Sequence, residues 1–142
     1  QLSDLYPVPI NYLRNWFRRN CREYWENAKK QNNVDFLHIW LSDGYNNHCE
    51  CEECVKKTTS DWYVILLNEI DESLSRNGID TKIVFITYGD TTWAPEEEKI
   101  KNQDRFTCLF APIARDFSKP LRQSTLDAKA GCILSKLQNK TL

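Results

Sequence analysis

The chain has 142 residues, 41% hydrophobic and 12% aromatic, with 19 basic residues against 20 acidic ones for a net charge of −1. That length suits one domain, and so much apolar and aromatic material excludes intrinsic disorder. The charge balance argues against a basic nucleic-acid binder, and no apolar run approaches the ~20 residues of a membrane span. The longest run, Val34 to Leu41, is interrupted by Asp35 and His38. No signal-peptide pattern opens the chain and it contains no Met, so it reads as a processed chain or an excised fragment.

Pro7 and Pro9 mark an extended lead-in. From Asn11 to about Gln31, Leu13, Trp16, Phe17, Cys21, Tyr24, Trp25 and Ala28 recur at steps of three and four. This is one stripe of a helix, with Arg14, Arg18, Arg19, Arg22, Glu23, Lys29 and Lys30 on the other face. Val34 to Leu41 then reads as a strand rich in β-branched and aromatic residues. It is apolar on nearly both faces, which suits a parallel strand with layers on each side. His38 within it reads as a buried, hydrogen-bonded histidine rather than a ligand. Ser42 to Asn47 is a turn cluster.

Thr58, Thr59, Ser60 and Asp61 are candidate N-caps for a second helix carrying Trp62, Leu66, Ile70 and Leu74, widened by Ile65 and Leu67. Asn77-Gly78 is its stop signal. Lys82 to Tyr88 is a second buried strand, and Gly89 to Ala94 its exit loop. Pro95 followed by Glu96, Glu97 and Glu98 predicts a short helix, since proline suits the first turn and acids suit its dipole. Arg105 to Phe110 is a third strand, and Ala111 to Pro120 its exit loop. Leu126, Ala130, Ile133, Leu134 and Leu137 place a last helix near Thr125 to Gln138.

This order predicts an α/β fold: three parallel strands joined by helical crossovers. Ligands of such folds bind at the carboxyl ends of the strands. Those ends are Ser42-Asp43-Gly44, Tyr88-Gly89-Asp90 and Ala111 to Asp116.

The densest chemical signal is His48-Cys49-Glu50-Cys51-Glu52-Glu53-Cys54. Cys51 and Cys54 have the spacing of a zinc knuckle, and His48 and Cys49 bring the donors to four. Soft donors favour zinc or another thiophile. A disulfide within the loop and three free thiols fit the spacing as well. Cys21, Cys108 and Cys132 read as small buried apolar residues. Asp43, at the end of the first strand, could orient a sugar hydroxyl or act as acid or base, although Asp-Gly also makes a plain turn. Tyr88, Asp90 and Trp93 join aromatic faces to a carboxylate, as a sugar site does; a Tyr packed at a strand end is the alternative. Arg115-Asp116 is a charged pair whose default is an exposed ion pair. With four glycines in separate loops, no phosphate cradle is expected, and no serine sits in a nucleophile elbow.

Taken together, Leu41-Ser-Asp-Gly44, Cys49-Glu-Cys51-Glu-Glu-Cys54, Ser60-Asp61-x-Tyr63, Ile86-Thr-Tyr88 and Pro112-Ile-Ala-Arg-Asp116-Phe-Ser-Lys-Pro-Leu121 resemble the bacterial domain-of-unknown-function 4838 family. That family includes glycoside hydrolase family 163, endo-acting β-N-acetylglucosaminidases. The resemblance runs from about Val34 to Leu121 and covers the middle of the family's barrel. It implies that residues 1–142 are a single fragment of a larger (β/α)8 TIM barrel, with roughly three of its eight units. It implies action on glycans, with β-N-acetylglucosaminide hydrolysis as the specific form, and an extracellular or cell-surface setting. Asp43, Glu50 and Asp90 are then the candidate catalytic carboxylates. Tyr88, Trp93 and Arg115 line the sugar site, no cofactor is required, and zinc is an option at the cysteine loop.

Two alternatives stand beside this reading. One is a non-catalytic carbohydrate-binding or scaffold domain. The other is a small metal-binding α/β domain centred on His48, Cys49, Cys51 and Cys54. Carbohydrate is the expected partner, with no nucleic acid and no membrane. Three strands cannot close a barrel, so open edges and apolar faces predict self-association as a homodimer, the alternative being a small self-sufficient sheet with helices on both faces.

Overall fold

The structure is a computed structural model that describes residues 19, 22, 23, 25–27, 30, 35–40, 49, 51–111 and 116–119. Three strands, β1 (Phe36–Ile39), β2 (Lys82–Thr87) and β3 (Phe106–Phe110), form one parallel sheet in the order β1-β2-β3. One long helix, α1 (Thr59–Arg76), connects β1 to β2. The molecule is thus a mixed α/β fold. Before β1, residues 19, 22, 23, 25–27 and 30 are helical. Trp25 is buried and Arg19, Arg22, Glu23 and Lys30 are exposed, the two faces expected from their spacing. The expected helix near Thr125 to Gln138 lies outside the described residues.

The register sorts the strand residues onto two unlike faces. Leu37, Ile83 and Phe106 are in line, as are Ile39, Phe85 and Cys108, and Thr87 with Phe110. This face packs under α1, whose Tyr63, Leu67, Ile70 and Leu74 join Trp25, Leu37, Ile83 and Phe85 in one buried cluster. Fully burying an aliphatic side chain of this size is worth about 1.5–3 kcal/mol relative to exposure. Tyr63 meets Phe85 edge-on at 6.0 Å between ring centroids, and Phe85 meets Phe106 at 6.1 Å. The Tyr63 hydroxyl donates to the Ile39 carbonyl at 2.8 Å and ties α1 to the end of β1. Cys108 packs, partly buried, against the same cluster, in keeping with its expected role.

The other face departs from expectation at His38 and carries no layer among the described residues. His38, in line with Val84 and Thr107, is exposed rather than buried, and its ring lies 6.2 Å from that of Trp40. Phe36, Trp40 and Leu109 are 53%, 57% and 44% exposed. Apolar composition alone predicted two buried faces. Among the described residues α1 covers only one, and alternation sends His38 to the open side.

The start of α1 is set by Thr58, whose hydroxyl accepts from the Asp61 amide at 3.1 Å. Its end is set by Asn77 and by Gly78 at φ 67°, a left-handed conformation that glycine adopts at no steric cost. The helix is buried over more of its circumference than its apolar stripe implies. Ser60, Asp61, Asn68 and Asp71 are buried as well.

These polar residues explain the largest departure from expectation. No helix follows Pro95. The segment between β2 and β3 has two 3-10 turns, Gly89–Thr92 and Gln103–Arg105, with irregular chain between them. A first helical turn leaves amide N–H groups without partners. Here α1 supplies them: Asp61 Oδ1 accepts from the amides of Glu97 and Glu98, both at 2.9 Å. Asn68 donates to the Lys99 carbonyl at 2.9 Å and accepts from the Lys101 amide at 3.0 Å. Ser60 donates to the Trp93 carbonyl at 2.5 Å. Side chains of α1 thus do the work of a helical ladder, and the crossover runs irregularly along α1. Arg105 closes its far end. Its guanidinium pairs with Asp71 at 2.7 Å and donates to the carbonyls of Thr81 (2.8 Å) and Ile79 and to Ser75 Oγ (2.8 Å).

Candidate functional site

In a parallel sheet every strand delivers its exit loop to the same edge. That edge gathers the cysteine segment, the N-terminus of α1 and the turn after β2. Ser60 on α1 holds the Trp93 carbonyl. Lys57, just before α1, is clamped by Glu97 Oε2 at 2.5 Å and Glu98 Oε1 at 2.9 Å. These hydrogen bonds, Glu97's first, hold the Lys57 ammonium above its ordinary range.

The cysteine segment is a turn that runs into a 3-10 turn, Cys54–Lys56. The Val55 amide donates to the Cys51 carbonyl at 3.1 Å, which curls the backbone and brings both side chains round. The Trp62 indole N–H donates to the Cys54 carbonyl at 2.8 Å and anchors the turn to the first turn of α1. The sulfurs of Cys49, Cys51 and Cys54 all lie within 4.8 Å of one another, close enough to bind one metal ion. Sulfurs on a tetrahedral zinc sit about 3.8 Å apart, from a Zn–S bond of about 2.3 Å. Small side-chain rotations therefore suffice. All three cysteines are free thiols, Cys51 exposed and the other two half-buried.

Their environments differ. Hydrogen bonds from the Cys54 amide first, then the Cys49 thiol and the Glu53 amide, bring Cys51 down to about 7. Burial first, then the neighbouring thiols, pushes Cys54 up to about 12. Cys51 therefore gives up its proton before Cys54, whose thiol would have to share the resulting negative charge. A bound cation would draw off the remaining protons.

The strand-end residues expected to meet a sugar are less uniform. Asp90 is exposed in the turn after β2, and the Trp93 amide donates to its carbonyl at 3.3 Å. Trp93 is 47% exposed, whereas Tyr88 is 8% exposed and packed at its strand end. Thr91 Oγ1 accepts from the Tyr88 amide at 3.1 Å and donates to the Tyr88 carbonyl at 2.9 Å, fixing the turn. Asp116 pairs with Lys119 at 3.0 Å and accepts from the Ser118 hydroxyl at 2.6 Å. That hydroxyl first, then Lys119, holds its carboxyl below the ordinary range. Asp43, His48, Glu50 and Arg115 lie outside the described residues, as do Cys21 and Cys132.

Sequence reading missed Trp62 as the anchor of the cysteine turn, having assigned it to the apolar stripe. Its place eight residues after Cys54, in the first turn of α1, is the signal that could have found it. It also missed Asp61 as the acceptor of two distant amides, since an acid near a helix start reads first as a cap.

Comparison of the chain with protein-family models, with curated proteins and with solved structures returned no match. No helix among the described residues is long and apolar enough to cross a membrane.

Proposed function

We propose that this chain is a small α/β metal-binding unit whose centre is the Cys49–Cys51–Cys54 turn. The observation that carries this reading is the convergence of three sulfurs within 4.8 Å in one anchored turn. Three thiolates are a soft donor set, and among divalent ions they favour zinc. His48, adjacent to Cys49 in sequence, is the natural fourth ligand. The expected result is about one zinc per chain by elemental analysis, and near zero for the Cys51→Ser/Cys54→Ser variant. Ligation displaces thiol protons, so zinc affinity should rise with pH. Wild-type protein loaded with zinc and then found free of it would sink the proposal.

A second reading keeps the glycan-directed role, with the sheet as part of a (β/α)8 barrel. Strands in sequential order, β1-β2-β3, are what consecutive barrel units supply. Half-exposed Trp93 beside Asp90 at the carboxyl edge offers an aromatic face next to a carboxylate. In this reading Asp43, Glu50 and Asp90 are the carboxylates, acting on β-N-acetylglucosaminide linkages or, without chemistry, only binding them. Chitooligosaccharide titration followed by tryptophan fluorescence tests it. Trp93→Ala should weaken binding roughly tenfold through lost stacking. Equal affinity in the variant, or no binding by the parent chain, counts against it.

A further inference from the structure

We infer that the cysteine turn is an exchange site, which receives and releases its thiophilic ion through ligand substitution with an external thiol. This rests on the metal-binding reading above and adds what the metal is for.

A structural zinc site ties together separated parts of a chain, and its binding free energy becomes folding free energy. Here the three described donors fall within the six residues Cys49 to Cys54. A bond among them closes a very short loop and constrains little of the unfolded chain. None of the three belongs to the buried cluster, which is built from α1, the sheet and Trp25. The turn is instead held by groups that need no metal: Trp62 on the Cys54 carbonyl and the Lys57 clamp on Glu97 and Glu98. Among the described residues, the turn is therefore fastened to α1 and to the crossover by bonds that involve no ion.

The three sulfurs differ in exposure. Cys51 is exposed, while Cys49 and Cys54 are half-buried. An incoming thiol reaches the ion from the Cys51 side. Its sulfur bonds to the metal as the metal–Cys51 bond breaks, and its proton passes through solvent to the departing Cys51 sulfur. The metal keeps its oxidation state, so no oxidant or reductant is needed. Repetition at the two inner sulfurs, and replacement of the fourth ligand by water or acceptor sulfur, completes the transfer, with a dithiol the better acceptor because its second sulfur is already close.

The test uses the 142-residue chain loaded with zinc, and the ion retained by the chain is read by elemental analysis after rapid desalting. Dithiothreitol is the acceptor. Loss of chain-bound zinc should proceed within minutes at a rate that rises linearly with dithiothreitol concentration. EDTA, which has no thiol, should strip the ion more slowly at equal concentration. The melting temperature should differ by less than about 5 °C between loaded and stripped protein. A rate independent of dithiothreitol, or a much larger fall in melting temperature on stripping, overturns the exchange role while leaving metal binding intact. Failure of the chain to retain zinc at all after desalting, before any acceptor is added, overturns both.

Discussion

Arg105→Ala is expected to cost about 3–5 kcal/mol, the range for breaking a buried ion pair by removing one partner. Against a total stability of about 5–15 kcal/mol, that brings the chain close to unfolding at ambient temperature. Arg105 and Asp71 side chains are 7% and 10% exposed, so the carboxylate, left with the Asn102 side-chain amide at 3.3 Å, cannot recover its hydration. The same guanidinium also serves the carbonyls of Ile79 and Thr81 and the hydroxyl of Ser75. It fastens the end of α1, the entry to β2 and the entry to β3 at one point. Arg105→Lys should fail to rescue, because one ammonium cannot reproduce the planar fork. The double variant Arg105→Met/Asp71→Leu should regain the carboxylate's share only, since the two carbonyls stay unserved. Urea unfolding at neutral pH measures all three. A loss below about 1 kcal/mol in Arg105→Ala would show that the clamp is redundant.

Asp61→Ala is expected to cost about 3 kcal/mol, from the loss of several charge-assisted hydrogen bonds at a buried carboxylate. Asp61 is 1% exposed. Burial alone would raise its pKa. The Thr58 hydroxyl, at 2.6 Å, and the amides of Glu98, Glu97 and Glu96 outweigh burial and hold the carboxyl below its ordinary value of 3.8. A folded-state value below the unfolded one stabilises the fold at every pH above the unfolded value. That contribution is lost as pH falls through the folded value. Wild-type protein should therefore weaken from about pH 4 downward, and Asp61→Asn should show a shallower acid slope. Asparagine keeps an oxygen for the two amides, so it should cost less than alanine at neutral pH. Denaturant unfolding at pH 7 and pH 3 gives both comparisons. Equal acid slopes in wild type and Asp61→Asn would remove Asp61 from the pH response.

Why the second crossover lacks its helix is a matter of range. Pro95 and the three acids after it form a sound local signal for a first turn. The amides that a helix would have aligned are taken by Asp61, some 36 residues earlier, and by Asn68. Neither residue carries a local mark of that role. Helix periodicity in the sequence reports neighbours three and four residues apart, whereas these contacts join two segments that approach only once the sheet has formed. His38 shows the same limit. Its composition context is apolar, but its register with Val84 and Thr107 puts it on the open face.

By itself the sequence determined three parallel-type strands over 34–41, 82–88 and 105–110, which the structure has at 36–39, 82–87 and 106–110, the long capped helix between the first two, and a thiol-rich turn before that helix. Each rests on short-range rules: β-branched and aromatic runs, a Thr N-cap, an Asn-Gly stop and cysteine spacing. Only the tertiary structure decided that α1 covers one face of the sheet among the described residues, that α1's polar residues replace a second helix, and that three sulfurs converge with Trp62 behind them. Those outcomes depend on hydrogen bonds and packing between residues distant in sequence, which form together when the chain folds and leave no periodic trace in any one segment.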